Sequence, residues 1–160
     1  MAKKAPRPAV PQARKGAPRP TPRRSKSAVP PVPIAIDERR FRWSAASLDT
    51  DFAGDWDWQL EPQEARCVLE VLADVGDKTW GEVKAMMASS ERRRRPLHHA
   101  QSILSIDPAA RERLRDLKLD IEEVFRLRHG NLRRIWGYVQ GDVFNILWYD
   151  RSHKVCPSDN

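Results

Sequence analysis

From about residue 37 onward the apolar positions change period along the chain, and each change marks an element. Residues 40–44 (Arg-Phe-Arg-Trp-Ser) alternate polar and apolar side chains, the period of a short strand. Pro62 followed by Ala65, Val68, Leu69 and Leu72 has the spacing of one helix face, with Gly76 just past its end. Thr79-Trp80-Gly81-Glu82 fits a capping box, in which hydroxyl and carboxylate satisfy reciprocal backbone amides, and opens a short helix reaching Met86 or Met87. Asp107 as cap, Pro108 at the first helical position, and Ala110, Leu114 and Leu117 on one side predict a third helix. Beyond it the period falls to two. Residues 124–128, 132–139 and 143–149 are rich in β-branched and aromatic side chains, and His129-Gly130-Asn131 and Gln140-Gly141-Asp142 supply the turns between them. In the last of these strands Phe144, Ile146 and Trp148 are expected on one face, with Val143, Asn145, Leu147 and Tyr149 on the other.

The expected fold class is therefore α+β: a short N-terminal strand, two or three helices, and a C-terminal three-stranded antiparallel meander covered by helices on at least one face. Residues 37–160 form one such domain. Residues 49–58 hold Asp49, Asp51, Asp55 and Asp57 without the spacing of a calcium loop or a nearby His, so they read as a solvated loop. Residues 92–99 read as a basic loop.

Charge separates the remainder of the chain from this domain. Residues 1–33 hold nine Lys or Arg, nine Pro and no acid, whereas residues 34–160 hold 20 basic and 22 acidic groups, net −2. Residues 1–36 thus read as a Pro/Arg/Lys-rich arm and linker, disordered when free, because such a composition buries too little apolar surface to offset its ordering entropy. If all nine charges engaged a single strand, the log–log salt slope would approach about −6. The arm has no aromatic residue to stack on bases, so it is not expected to read sequence. Within the domain, residues 34–91 carry net −7 and residues 92–160 net +5, which places the electropositive surface on the meander side.

Two well-separated cysteines, Cys67 and Cys156, make neither a disulfide framework nor a zinc pattern, which favours a reducing, cytoplasmic location. The N-terminus is basic but lacks the apolar run of a signal peptide, and no stretch is long and apolar enough to span a membrane.

Candidate chemistry lies in the C-terminal third. Arg126 and Arg128 share one strand face, and Arg134, Trp136 and Tyr138 share another, a plausible platform for phosphates and bases. The alternative is that the aromatics are core and the arginines cover its edge. At the exit of the last strand Tyr149, Asp150, Arg151, His153 and Lys154 gather a phenol, a carboxylate, an imidazole and two cations within seven residues of Trp148. RNA cleavage through the neighbouring 2′-hydroxyl needs a proton-transfer group and a cation to stabilise the phosphorane, and no metal or other cofactor. Equally, Asp150 and His153 could cap a turn. Adjacent His98 and His99 seldom face one metal, and no further ligand completes a set there.

Residues 124–157 resemble two groups of proteins. Residues 143–155 fit Val-Phe-x-x-Leu-Trp-x-Asp-x-x-His-x-Val, the ending of a group of uncharacterised bacterial proteins. More distantly the segment is similar to the RelE/ParE toxin superfamily, whose closing strands carry an Arg-rich hairpin and a basic or aromatic terminus. That resemblance implies a small α+β toxin of a toxin–antitoxin pair that cuts messenger RNA, often on the ribosome and without a metal, or a relative aimed at a protein such as gyrase. Carried over by position, the resemblance implies that Arg126, Arg128 and Arg134 bind phosphate, with His153 and Tyr149 near the scissile bond. His153, Tyr149 and Arg134 are thus the expected catalytic residues, and the basic Arg133, Lys154, Arg23 and Arg24 are expected to add nucleic-acid contacts to those of Arg126 and Arg128. The expected partners are RNA or the ribosome and an antitoxin protein, with DNA as a further polyanion open to the arm. A non-catalytic nucleic-acid- or ribosome-binding accessory protein and a protein-targeting toxin or defence module remain as alternative classes.

Overall fold

Each helix begins at the polar cap that its sequence supplies. In the computed structural model, which describes residues 34–88 and 95–157, α1 spans Pro62–Gly76, α2 Trp80–Ala85 and α3 Pro108–Asp116. The arm with Arg23 and Arg24, and Arg92 to Arg94 of the basic loop, lie outside the described residues. The capping box of α2 is complete: Thr79 N–H donates to Glu82 Oε2 at 2.7 Å, and Glu82 N–H donates to Thr79 Oγ1 at 3.2 Å. Asp107 caps α3 by accepting from Ala109 N–H at 2.8 Å, with Pro108 at the first position.

The strands are β1 (Arg42–Ser44), β2 (His99–Ser102), β3 (Glu123–His129), β4 (Arg133–Gln140) and β5 (Val143–Asp150). The meander exists, but it is the centre of a five-stranded sheet rather than a three-stranded one, in the order β1-β5-β4-β3-β2. β1 runs parallel to β5, pairing Trp43 with Phe144, and β2 runs antiparallel to β3, pairing His99 with Arg126. His99-Ala-Gln-Ser has no β-branched or aromatic residue, so this edge strand forms by pairing with β3 and not by its own propensity. The segment expected as a basic loop therefore ends in sheet, at His99.

Both faces of the sheet are covered. On one, Val68, Val71, Leu72 and Val75 of α1 and Trp80 and Val83 of α2 pack on Phe125, Leu127, Ile135, Phe144 and Ile146. On the other, Ala110 and Leu114 of α3, with Trp56 and Ile106, pack on Val124, Trp136, Leu147 and Trp148. Trp136 is fully buried, so it belongs to the core.

The expected facing of β5 fails at one point. Gly137 pairs with Ile146 but Trp136 pairs with Trp148, which leaves Leu147 as the extra residue of a β-bulge. The inserted residue reverses the alternation: Phe144 and Ile146 face α1, Trp148 faces α3, and Tyr149 returns to the α1 side. Position 137 has to be glycine because a Cβ there would run into the Asn145 carbonyl oxygen and lie 2.7 Å from Phe144 Cε2.

The acidic segment is not simply a solvated loop. Asp51 and Asp55 are exposed, but Asp49 is buried beside Trp148, where its carboxylate accepts from Trp148 Nε1 at 2.9 Å and from Arg113 Nε and Nη2 at 2.8 and 2.6 Å. Trp58 Nε1 donates to the Leu147 carbonyl at 2.6 Å, which holds the loop on the bulge. No helix among the described residues is long and apolar enough to cross a membrane.

Replacing Gly137 with Ala should force β4 and β5 apart and cost about 3 kcal/mol, by the usual penalty of overpacking. Urea denaturation of Gly137→Ala beside the parent chain checks this, and an unchanged midpoint would contradict the close approach.

Candidate anion-binding site

Sheet register brings the basic side chains together. His99 lies opposite Arg126, Arg126 opposite Trp136, and Arg128 opposite Arg134, so all of them project from the α3 side of the sheet, beyond the end of that helix's packing. The chain then leaves β5 at Asp150, the register partner of Arg134, and turns back across this face.

The turn is built on one carboxylate. Asp150 is fully buried; its Oδ1 accepts from the amides of Ser152 and Lys154 at 3.2 and 2.9 Å, and its Oδ2 accepts from Val155 N–H at 2.9 Å and Trp136 Nε1 at 3.3 Å. Asp150 therefore caps a turn. His153, at its tip, has a φ of 59°, a left-handed conformation uncommon outside glycine. Val155 is buried in the α3 core and its carbonyl accepts from Asp107 N–H at 2.7 Å, which fixes the far end of the turn.

This arrangement presents the imidazole to Arg126. Arg126 Nη1 lies 3.1 Å from His153 Nε2. A guanidinium only donates, so Nε2 is the accepting nitrogen and the ring is neutral, with its proton on Nδ1. Burial lowers the pKa of His153, and Arg134 and Arg126 lower it further, against the pull of Asp150. His99 is lowered by burial and then by Arg126, while the Pro96 carbonyl and the Gln101 side chain act in the opposite sense.

Two hollows meet at His153. One, of about 840 Å³, is lined by Arg126, His99, Gln101, Arg95, Cys156 and His153 among others. The second, of about 330 Å³, is lined by Arg134, Lys154, Ser152, Asn131 and His153 among others. Arg134 is buried, with Nη1 donating to the Arg133 carbonyl at 2.8 Å and Nη2 to the Asn131 carbonyl at 3.0 Å. Burial, with Arg126 and Arg128 close by, pushes its pKa down to about 10, so it stays charged at neutral pH. The Nε atoms of Arg126 and Arg134 are buried without a hydrogen-bond partner, and neither guanidinium pairs with a carboxylate among the described residues.

The other candidates are placed elsewhere. Tyr149 is not brought together with His153: the bulge turns its ring to the α1 face, where the buried hydroxyl has no partner and burial raises its pKa. Arg133 is exposed and reaches that same side, 3.9 Å from Cys67 Sγ. Arg151 is held there by Asp57 and Glu64, each at 3.0 Å. Arg128 flanks the cluster, its Nε donating to the Gly130 carbonyl at 2.8 Å. Lys154 is exposed at the rim. His99 and Gln101 also line the larger hollow, where composition did not place them, and reading residues 99–102 as an alternating edge strand would have put both on the arginine face.

Comparison of the chain with protein-family models, with curated proteins and with solved structures finds no match.

His98 points away from its neighbour and serves the fold, since its buried Nδ1 accepts from the backbone amide of Arg128 at 3.1 Å. Burial pushes its pKa from 6.5 down to about 4. Between these values the unfolded chain takes up a proton that the folded chain refuses, so stability falls as pH drops through the window, by up to about 3 kcal/mol. His99 and His153, also lowered, act in the same direction. Urea midpoints at about pH 7 and about pH 4.5 should converge in His98→Asn relative to the parent chain. An undiminished difference would mean that His98 does not carry the acid sensitivity.

Proposed function

We propose that the protein is a RelE-like, toxin-type RNA-binding protein that cleaves RNA without a metal, with the strand's phosphates received by Arg126, Arg134 and Lys154 and with His153 at the scissile linkage. The observation that carries this reading is the pair of guanidinium groups of Arg134, buried, and Arg126, half-buried, whose Nε atoms are buried without a partner and which make no ion pair with a carboxylate among the described residues. Holding a cation away from water costs several kcal/mol unless an anion offsets it. Asp49 has Arg113 and Arg151 has Asp57 and Glu64, whereas Arg134 has only the pull of its register partner Asp150 without an ion pair, and no carboxylate pairs with Arg126 among the described residues. An external anion fits the exception.

A chain of phosphates suits the geometry better than a lone phosphate, because His153 forms a wall common to both hollows. A strand crossing His153 would set one phosphate against Arg126 and the next against Arg134 and Lys154. As Arg126 turns to a phosphate oxygen, His153 Nε2 is released to accept the 2′-hydroxyl proton, and the guanidinium stabilises the charge that gathers on phosphorus oxygens. The nine cations of residues 1–33 add salt-dependent affinity of low specificity. On the toxin reading an antitoxin would mask this face.

The charge of residues 1–33 also favours a second reading, a non-catalytic RNA- or ribosome-binding accessory protein in which the arm does most of the binding. One experiment separates them. RNA incubated with the purified chain in a chelator should be cut, and His153→Ala or Arg126→Met should slow cutting by about 100-fold or more. Deleting residues 1–33 should leave cutting in place at reduced affinity. RNA that stays intact with and without ribosomes, together with binding that vanishes on the deletion, would establish the accessory reading instead.

A further inference from the structure

We infer that His99 is the second proton-transfer group of this site, the acid that protonates the leaving 5′-oxygen while His153 acts as base on the 2′-hydroxyl. The inference rests on the RNA-cleaving reading and assigns a role to a residue which that reading leaves unused. Cleavage of this kind needs two proton transfers on opposite sides of phosphorus, and one imidazole cannot make both in a single step.

The fold supplies a second imidazole on the other flank of the same guanidinium. His99 is the register partner of Arg126 on the β2 side, whereas His153 reaches Arg126 from the turn beyond β5, and both rings line the larger hollow. A phosphate seated on Arg126 therefore has one imidazole to each side. Burial and Arg126 lower both rings, an effect that a bound phosphate would offset, and what distinguishes the two is the hydrogen-bond partner of each. Arg126 donates to His153 Nε2, a contact that only a ring with a free lone pair can make. His99 faces acceptors: its Nδ1 lies 3.4 Å from the Pro96 carbonyl oxygen, which can only receive a proton, and the Gln101 side chain also favours the charged ring. With Nδ1–H held by Pro96, Nε2 is the nitrogen left to deliver a proton. Gln101 is itself fixed, its Nε2 donating to Ser105 Oγ at 2.8 Å.

The step balances within the protein and the RNA. The 2′-hydroxyl proton passes to His153 Nε2, the 2′-oxygen forms a bond to phosphorus, the bond from phosphorus to the 5′-oxygen breaks, and that oxygen takes the proton of His99. The products are a 2′,3′-cyclic phosphate and a 5′-hydroxyl, with one proton moved from His99 to His153 and returned through solvent.

The test uses the full chain, a short RNA, and the same RNA with sulfur in place of the bridging 5′-oxygen at one linkage, since a thiolate leaves without being protonated. His99→Ala and His99→Gln should cut the ordinary linkage about 100-fold or more slowly than the parent chain, and should cut the sulfur linkage within about 10-fold of it. His153→Ala should be slow on both. The parent chain should show a rate that rises and then falls with pH, and His99→Ala should lose the alkaline fall. His99 variants that cut ordinary RNA at the parent rate, or that sulfur does not rescue while His153→Ala behaves as described, would overturn the role of His99 and leave the RNA-cleaving reading intact. A parent chain that cuts neither substrate would overturn both.

Discussion

The carboxylate of Asp150 is the constraint on which the C-terminal face depends. It lies at the end of the central hairpin, where water cannot reach it, and it takes four donors: three amides of the following turn and the indole of Trp136. A buried carboxylate that lost these donors would face a desolvation cost of several kcal/mol, so turn and strand end are bound to one geometry. The left-handed backbone of His153 follows from that geometry, as strained conformations persist where their surroundings over-determine them.

The ending of the chain can be read residue by residue on this basis. Phe144 fills the core under α1, Leu147 is the bulge, Trp148 donates to Asp49, Asp150 gathers the turn, and Val155 anchors it in the second core. Each of these has a folding role. His153 has none of comparable kind: its ring meets Arg126, a side chain that itself lacks an ion-pair partner among the described residues. The ring that the turn displays is hydrogen-bonded to that guanidinium beside two hollows, which is why the proposed chemistry is centred there. Tyr149 separates from it because the bulge, set by the absence of a side chain at Gly137, inverts the strand ahead of it.

Features that depend on a few neighbouring residues were legible in the sequence. The caps at Thr79 and Asp107, the turns around Gly130 and Gly141, the three strands of the meander and the common face of Arg126 and Arg128 all follow from local chemistry and period. What escaped depends on partners distant along the chain. β2 is held by its register with β3; the bulge at Leu147 depends on a glycine in β4; Asp49 is drawn out of solvent by Arg113. The meeting of His153 with Arg126, 27 residues earlier, is of the same sort: each residue was visible as a candidate, but their contact was not.

Charge is distributed between two kinds of site. The nine cations of residues 1–33 are interspersed with proline and suit a diffuse attraction that weakens steeply with salt. Those of the cavity are few, held by backbone carbonyls and sheet register, and crowded enough that Arg126 and Arg128 lower the pKa of Arg134. Crowding like charges in a partly dry hollow destabilises the empty domain, and the same proximity raises its affinity for an anion, because one phosphate relieves several repulsions at once. Such a ligand would also draw the two imidazoles back toward their charged forms, so binding and proton uptake are linked through the same three side chains. In the proposed site, the energy that folding spends on Arg126 is recovered when the strand arrives, and His153 is freed to act at that moment.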